Sequence, residues 1–201
     1  MTTTNEPAGR RAVCVYCASS RAAHPDYREA AFNLGAVLAQ HGHDVVYGGG
    51  ARGSMGALAD GALSKGGRVI GILPRFMADL EWGHPGLTEL ELVEDMRIRK
   101  HMMLTRSHAA IALPGGSGTL EELLEAITLK RLGLYLNPIL LVNTRNFFDP
   151  LIELLSRAIG ERFMDERHAQ MWEVVARPDE VPAALHRAAD WGEEARSFAA
   201  L

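Results

Sequence analysis

Apolar residues along this chain come in short bursts, and between the bursts they recur every three or four positions. The bursts fall at 12–17, 44–47, 69–73, 90–93, 109–113 and 139–142. Runs of that length bounded by Gly, Pro or Asn predict strands buried on both faces. The intervening segments have helical spacing. Residues 25–41 place Tyr27, Ala31, Leu34 and Leu38 on one face, open on Pro25 and Asp26, and stop at Gly42. The same pattern predicts helices over about 55–65, 96–106, 120–132, 150–162 and 180–189, and a last short strand at Val174 and Val175. Residues 76–87, with Trp82, Gly83, Pro85 and Gly86, read as irregular.

Strand and helix alternate from end to end. That order predicts an α/β fold, a Rossmann-like, doubly wound parallel sheet with helices on both faces. No linker or repeat interrupts it, so residues 11–190 read as a single domain between a polar tail, 1–10, and a C-terminal tail, 191–201. In such sheets ligands bind beyond the carboxyl ends of the strands. Ser19 and Ser20, residues 48–50 and residues 115–119 all follow predicted strands. They are expected to converge on one crevice.

The most informative of these loops is Pro114-Gly115-Gly116-Ser117-Gly118-Thr119-Leu120-Glu121-Glu122. It reads as strand, glycine loop, helix. A first helical turn offers free N–H groups and a positive dipole end, and glycines let an anion come close to that backbone. The loop therefore suits a phosphate. It is no Walker loop, because the Lys after the last Gly and the wider spacing are both missing. Glu121, Glu122 and Glu125 follow within two turns. Glu121 and Glu125 share a face, while Glu122 lies about 100° round from Glu121, so one carboxylate of the adjacent pair is expected to meet the ligand.

Two other stretches carry candidate chemistry. Gly48-Gly49-Gly50-Ala51-Arg52-Gly53 has the spacing of a dinucleotide turn, but the next strand, 68–73, ends without the ribose-binding acid. A turn facing a mononucleotide or a sugar fits better, and a structural turn fits as well. Arg97, Arg99 and Lys100 put positive charge on the 96–106 helix, either as a solvated face or as a clamp on phosphate and carboxylate.

Composition narrows the classes. A net charge of −4 with no basic stripe gives nucleic-acid binding little support. Cys14 and Cys17 form a C-x-x-C inside a strand, where i and i+3 point to opposite faces, and the eight histidines are scattered. No metal site is expected. The longest apolar run is far too short to cross a bilayer, and the N-terminus lacks a signal core. A cytoplasmic protein is expected.

Met96-x-x-Arg99-Lys100 together with the 114–122 loop resembles the LONELY GUY family of cytokinin riboside 5′-monophosphate phosphoribohydrolases, often labelled lysine decarboxylases. Cys17-Ala18-Ser19-Ser20 and the run Gly48-Gly49-Gly50-Ala51-Arg52-Gly53-Ser54-Met55-Gly56 are similar to its other motifs. The resemblance implies hydrolysis of the N-glycosidic bond of an N6-modified adenosine 5′-monophosphate, without a cofactor, by a homodimer. It places the catalytic pair on Arg99 and Glu122. It places substrate contacts on Ser20, Gly50, Glu81, Met96, Lys100, Gly115, Gly116, Ser117, Gly118, Thr119, Glu121 and Thr128. Ser117 stands where the family often has an aromatic, and Lys130 and Arg131 stand near its frequent Trp, which leaves the preferred base open. A general purine nucleotide nucleosidase and a nucleotide- or cofactor-binding carrier are the alternatives.

Overall fold

The chain is described by a computed structural model covering residues 11–78, 83–188 and 191–199. Its bursts of apolar residues form seven strands: β1 Ala12–Tyr16, β2 Asp44–Tyr47, β3 Val69–Pro74, β4 Glu89–Val93, β5 Ala110–Ala112, β6 Ile139–Val142 and β7 Glu173–Val175. They pair side by side, all parallel, in the order β4-β3-β2-β1-β5-β6-β7. Parallel neighbours need crossover connections, and helices supply them. These are α1 Pro25–Gln40, α2 Gly53–Ser64, α3 Arg75–Ala78, α4 Met96–Thr105, α5 Ser117–Arg131, α6 Asp149–Gly160 and α7 Val181–Arg187.

The alternation of side chains along β1 shows why the sheet is covered twice. Cys14 and Tyr16 join a core with Leu123 and Ile127 of α5, Met103 of α4 and Leu155 of α6. Val13, Val15 and Cys17 join a second core with Leu34 and Leu38 of α1, Leu58 of α2 and Ala184 of α7. Cys14 and Cys17 thus lie on opposite faces, as their spacing predicts, and both thiols are free and buried. Burial pushes both thiols far above the usual cysteine range, so neither is a ready nucleophile.

The strand order reverses between β1 and β5. The chain leaves β1 toward β2, β3 and β4, then returns through α4 to β5 on β1's other side. Loops after β1 and β5 therefore part from each other and open a crevice. Helices α1 and α2 pack closely backbone to backbone. A Cβ on Gly61 would lie 2.0 Å from the Phe32 carbonyl oxygen, and one on Gly35 would lie 2.1 Å from that of Leu58. Only glycines allow so close a backbone approach.

The structure differs from the sequence expectation in three places. Helix α5 starts at Ser117, not residue 120, because its first turn faces the crevice and carries no core side chain to mark it. Arg75–Ala78 is a short helix that overlaps the stretch read as irregular. Residues 191–199, set aside as a tail, pack on the domain. Trp191 is 9% exposed, and its indole N–H donates to the Lys130 carbonyl at 2.9 Å. Phe198 meets the Trp191 ring edge-on at 5.8 Å, and the Arg167 guanidinium covers Phe198 at 3.8 Å. No helix among the described residues is long and apolar enough to cross a membrane.

Candidate active site

A cavity of about 480 Å³ occupies the crevice. Its walls are the ends of the loops after β1 (residues 17–20), β2 (Gly48, Gly50, Ala51, Arg52) and β5 (residues 116–119), with Leu73, Met77, Met96, Arg99, Glu121, Glu122 and Met55 between them. The convergence expected of the three strand-end loops is what the fold builds.

The β5 loop leads straight into α5. Gly116 is the N-cap residue, and no side chain caps the helix. Leu120 makes the first N–H bond of the helix, to the Gly116 carbonyl at 3.0 Å. The N–H groups of Ser117, Gly118 and Thr119 precede it and have no intrahelical acceptor. A Cβ on Gly116 or Gly118 would meet nothing within 4 Å, so both glycines leave the helix start open toward the cavity. Gly115 has another task. A Cβ there would lie 2.2 Å from the Thr119 hydroxyl, so its bareness lets the loop fold onto buried Thr119. Gly115 itself does not line the cavity.

Glu122 projects from the start of the second turn into the cavity wall. Opposite it, Asp95 opens α4 by accepting from the N–H groups of Arg97 and Ile98, both at 2.8 Å. Those bonds hold the Asp95 carboxyl below the usual range. One turn on, Arg99 reaches across the sheet edge. Its Nε donates to the Ile72 carbonyl at 3.1 Å and its Nη1 to Glu122 Oε1 at 2.9 Å. Arg99 is 5% exposed and Glu122 7%. The guanidinium has room only because residue 48 is glycine. A Cβ there would sit 1.8 Å from Arg99 Nη2.

Both carboxylates of the adjacent pair line the cavity, where one was expected to, but they differ in burial and partner. Glu122 is buried with Arg99, while Glu121, half-exposed at the rim, pairs with Lys100. Lys100 also holds Glu125 at 3.1 Å. Burial raises the Glu122 pKa above the ordinary 4.5, and the charge of Arg99 opposes that rise. A carboxylate with a raised pKa beside a cation in a cleft is what general acid–base chemistry uses.

Of the residues singled out from the sequence, Ser20, Gly50, Met96, Arg99, Gly116, Ser117, Gly118, Thr119, Glu121 and Glu122 line the cavity. Lys100 lies behind the rim, turned to its two glutamates. Thr128 is exposed further along α5, its hydroxyl bonded to the Leu124 carbonyl at 2.8 Å, and does not line the cavity. Glu81 falls outside the described residues. Arg52, Met55, Met77 and Leu73 form walls that the sequence reading did not assign. Arg52 and Met55 stand within the glycine motif and could have been found there. Met77 gives no such signal, since only the fold carries α3 over the crevice. Among the described residues no group of three or more His, Cys, Asp or Glu could hold a metal ion.

Residues 55–185 match the family described as "Possible lysine decarboxylase". The chain is 38% identical over 177 residues to the rice protein named probable cytokinin riboside 5′-monophosphate phosphoribohydrolase LOGL9, covering 88% of this chain and 77% of that one. The chain belongs to the LONELY GUY family. A second rice member, cytokinin riboside 5′-monophosphate phosphoribohydrolase LOG, is 40% identical over 156 residues, which span 78% of this chain and 64% of LOG. The fold has a wider distribution than the LONELY GUY family. The molybdenum cofactor carrier protein of Chlamydomonas reinhardtii superposes with a TM-score of 0.70 over 90% of this chain and 98% of its own, at 19% identity.

Proposed function

We propose that this chain hydrolyses the N-glycosidic bond of N6-modified adenosine 5′-monophosphates, releasing the free base and ribose 5-phosphate. The observation that carries the reading is the buried Arg99–Glu122 pair, set one turn beyond an uncapped, glycine-open helix start in the same cavity. The names of the rice relatives support it.

The free N–H groups of Ser117, Gly118 and Thr119 take the 5′-phosphate, and the dipole of α5 favours its charge. That remote grip orients the ribose over Glu122. Breaking the ribosyl–base bond develops positive charge on the sugar, as in glycoside hydrolysis. Glu122, ionised, stabilises that charge and takes a proton from the attacking water, whose oxygen bonds to the anomeric carbon. The electron pair of the broken bond leaves with the base, which takes up a proton. Arg99 holds Glu122 in place through its Nη1 bond. Ser20, Gly50, Met96 and Glu121 contact the rest of the nucleotide from the cavity wall. No cofactor enters this scheme.

A decarboxylase reading has weaker support. Of the chain's three lysines, Lys65, Lys100 and Lys130, none lines the cavity. The carrier reading rests on a likeness of fold alone. We also place the enzyme in the cytoplasm as a homodimer. Leu124 and Thr128 of α5 and Leu132 at its C-cap, spaced four apart, give an exposed face that a second copy would cover.

The purified chain is expected to release free base and ribose 5-phosphate from isopentenyladenosine monophosphate faster than from AMP. Glu122→Gln should keep nucleotide binding and lose about 10²- to 10⁴-fold in kcat. Equal rates on both nucleotides point to the general nucleosidase. Binding with no turnover of either sinks the hydrolase and leaves a carrier.

A further inference from the structure

The charges around the cavity do not favour a dianion. Arg99 is spent on Glu122, and Lys100 is shared between Glu121 and Glu125. Taken together these five side chains carry two positive and three negative charges. Yet the substrate class proposed above brings a phosphate. Among the described residues one cation lining the cavity remains, Arg52. It is the N-cap residue of α2, its side chain is exposed, and no carboxylate partner is found for it among the described residues.

The backbone fixes where Arg52 stands. Gly53, next in the chain, has φ +60, and a Cβ there would lie 2.5 Å from the Ser20 carbonyl oxygen. Met55 N–H donates to the Ala18 carbonyl at 3.1 Å. The start of α2 is therefore tied to the loop after β1, and Arg52 stands at the cavity wall formed by the loops after β1 and β2. The helix start of α5 lines the same cavity.

We propose that Arg52 is the substrate-binding cation of this site. It closes on the 5′-phosphate from the α2 side while the Ser117–Gly118–Thr119 N–H groups hold it from the α5 side. A guanidinium suits this role, since its forked N–H donors can meet two phosphate oxygens at once. Arg52 acts on binding and takes no part in proton transfer. The inference rests on the hydrolase reading given above.

The test compares wild type, Arg52→Gln and Arg52→Lys at low and high salt. Arg52→Gln should raise KM for the nucleoside monophosphate about tenfold at low salt, with kcat within about twofold. Competitive inhibition by inorganic phosphate should weaken by a similar factor. The variant's KM should rise less steeply with salt than that of the wild type, because one screened contact is gone. Arg52→Lys, keeping the charge, should recover part of the loss. The nucleoside lacking phosphate should bind wild type and Arg52→Gln alike. Wild-type turnover with an unchanged KM and phosphate inhibition in Arg52→Gln overturns the role of Arg52 and leaves the hydrolase intact. Absence of turnover by the wild type instead overturns the hydrolase reading.

Discussion

In the mechanism proposed above two side chains set the reactivity of the site, and a missing side chain sets their geometry. Arg99 is aimed by the Ile72 carbonyl and Glu122, and the bare Cα of Gly48 leaves the space for its Nη2. Gly48→Ala would drive a methyl to 1.8 Å from that nitrogen, far inside van der Waals contact. The guanidinium must move, and a misplacement near 1 Å can cost about 10²-fold in rate. We expect kcat to fall by about that factor with KM little changed. In an Arg99→Ala background the same Gly48 substitution should add little, since the guanidinium is gone and the one other close group, Met55 Cε at 2.5 Å, is the end of a flexible side chain. Full additivity of the two losses would show that Gly48 acts some other way. Burial also predicts a pH dependence. Only ionised Glu122 can take a proton, and its pKa lies above 4.5. Activity should therefore fall on acidification at a pH above 4.5. Carbon-13 NMR of labelled glutamates in the free enzyme should give the Glu122 midpoint in that same range. Removing the opposing cation with Arg99→Gln should move the midpoint higher still. A midpoint at or below 4.5 would contradict the burial argument.

At the level of elements, the strands were the most legible part of the sequence. Continuous apolar runs such as 139–142 can only be strands covered on both sides, and β6 has those bounds. Helix α1 was equally plain, because Pro25 opens it, its apolar face is regular and Gly42 with φ +77 ends the turn after it. The start of α5 was harder to read for a reason tied to its place in the fold. Its first turn lines the cavity and carries no apolar core side chain, so the apolar periodicity begins three residues late. The Glu121/Glu122 choice was legible only as far as one face or the other. Both line the cavity, and what separates them is a tertiary contact, since the Arg99 that buries Glu122 comes from α4, 23 positions away in sequence. Lys100, which the resemblance places among the substrate contacts, is paired with Glu121 and Glu125 through contacts that only the fold brings together. Met77 was invisible because nothing local says that α3 will lie over the crevice. The C-terminal aromatics were missed because 191–199 has no periodicity, and single large rings bury surface without any.

For the molecule as a whole, the site end and the anchoring end of α5 are separate. The helix lines the cavity with Ser117, Gly118, Thr119, Glu121 and Glu122 and ends near Lys130, where the C-terminal segment covers it. Trp191 there does several jobs. Its N–H satisfies the Lys130 carbonyl, its ring lies 5.7 Å from the Lys130 ammonium, and it packs against His168 and Phe198. Lys130, nearly fully buried, donates to the Asn137 carbonyl at 2.8 Å, and burial pushes its pKa down to about 8. Trp191→Ala would empty a buried ring site and leave a helix-end carbonyl without its donor. Such truncations cost about 3–5 kcal/mol, which is a large fraction of a typical domain's stability. Trp191→Phe keeps a ring and loses the donor, and should cost about 1–2 kcal/mol. Urea unfolding should rank the three proteins in that order. Below the onset of unfolding, kcat and KM should stay near wild type in both variants, because the contacts that set Glu122 come from α4, β3 and Gly48. A fall in kcat in a fully folded Trp191→Ala protein would mean that α5 transmits the loss along its length, and that the two ends are one mechanical unit.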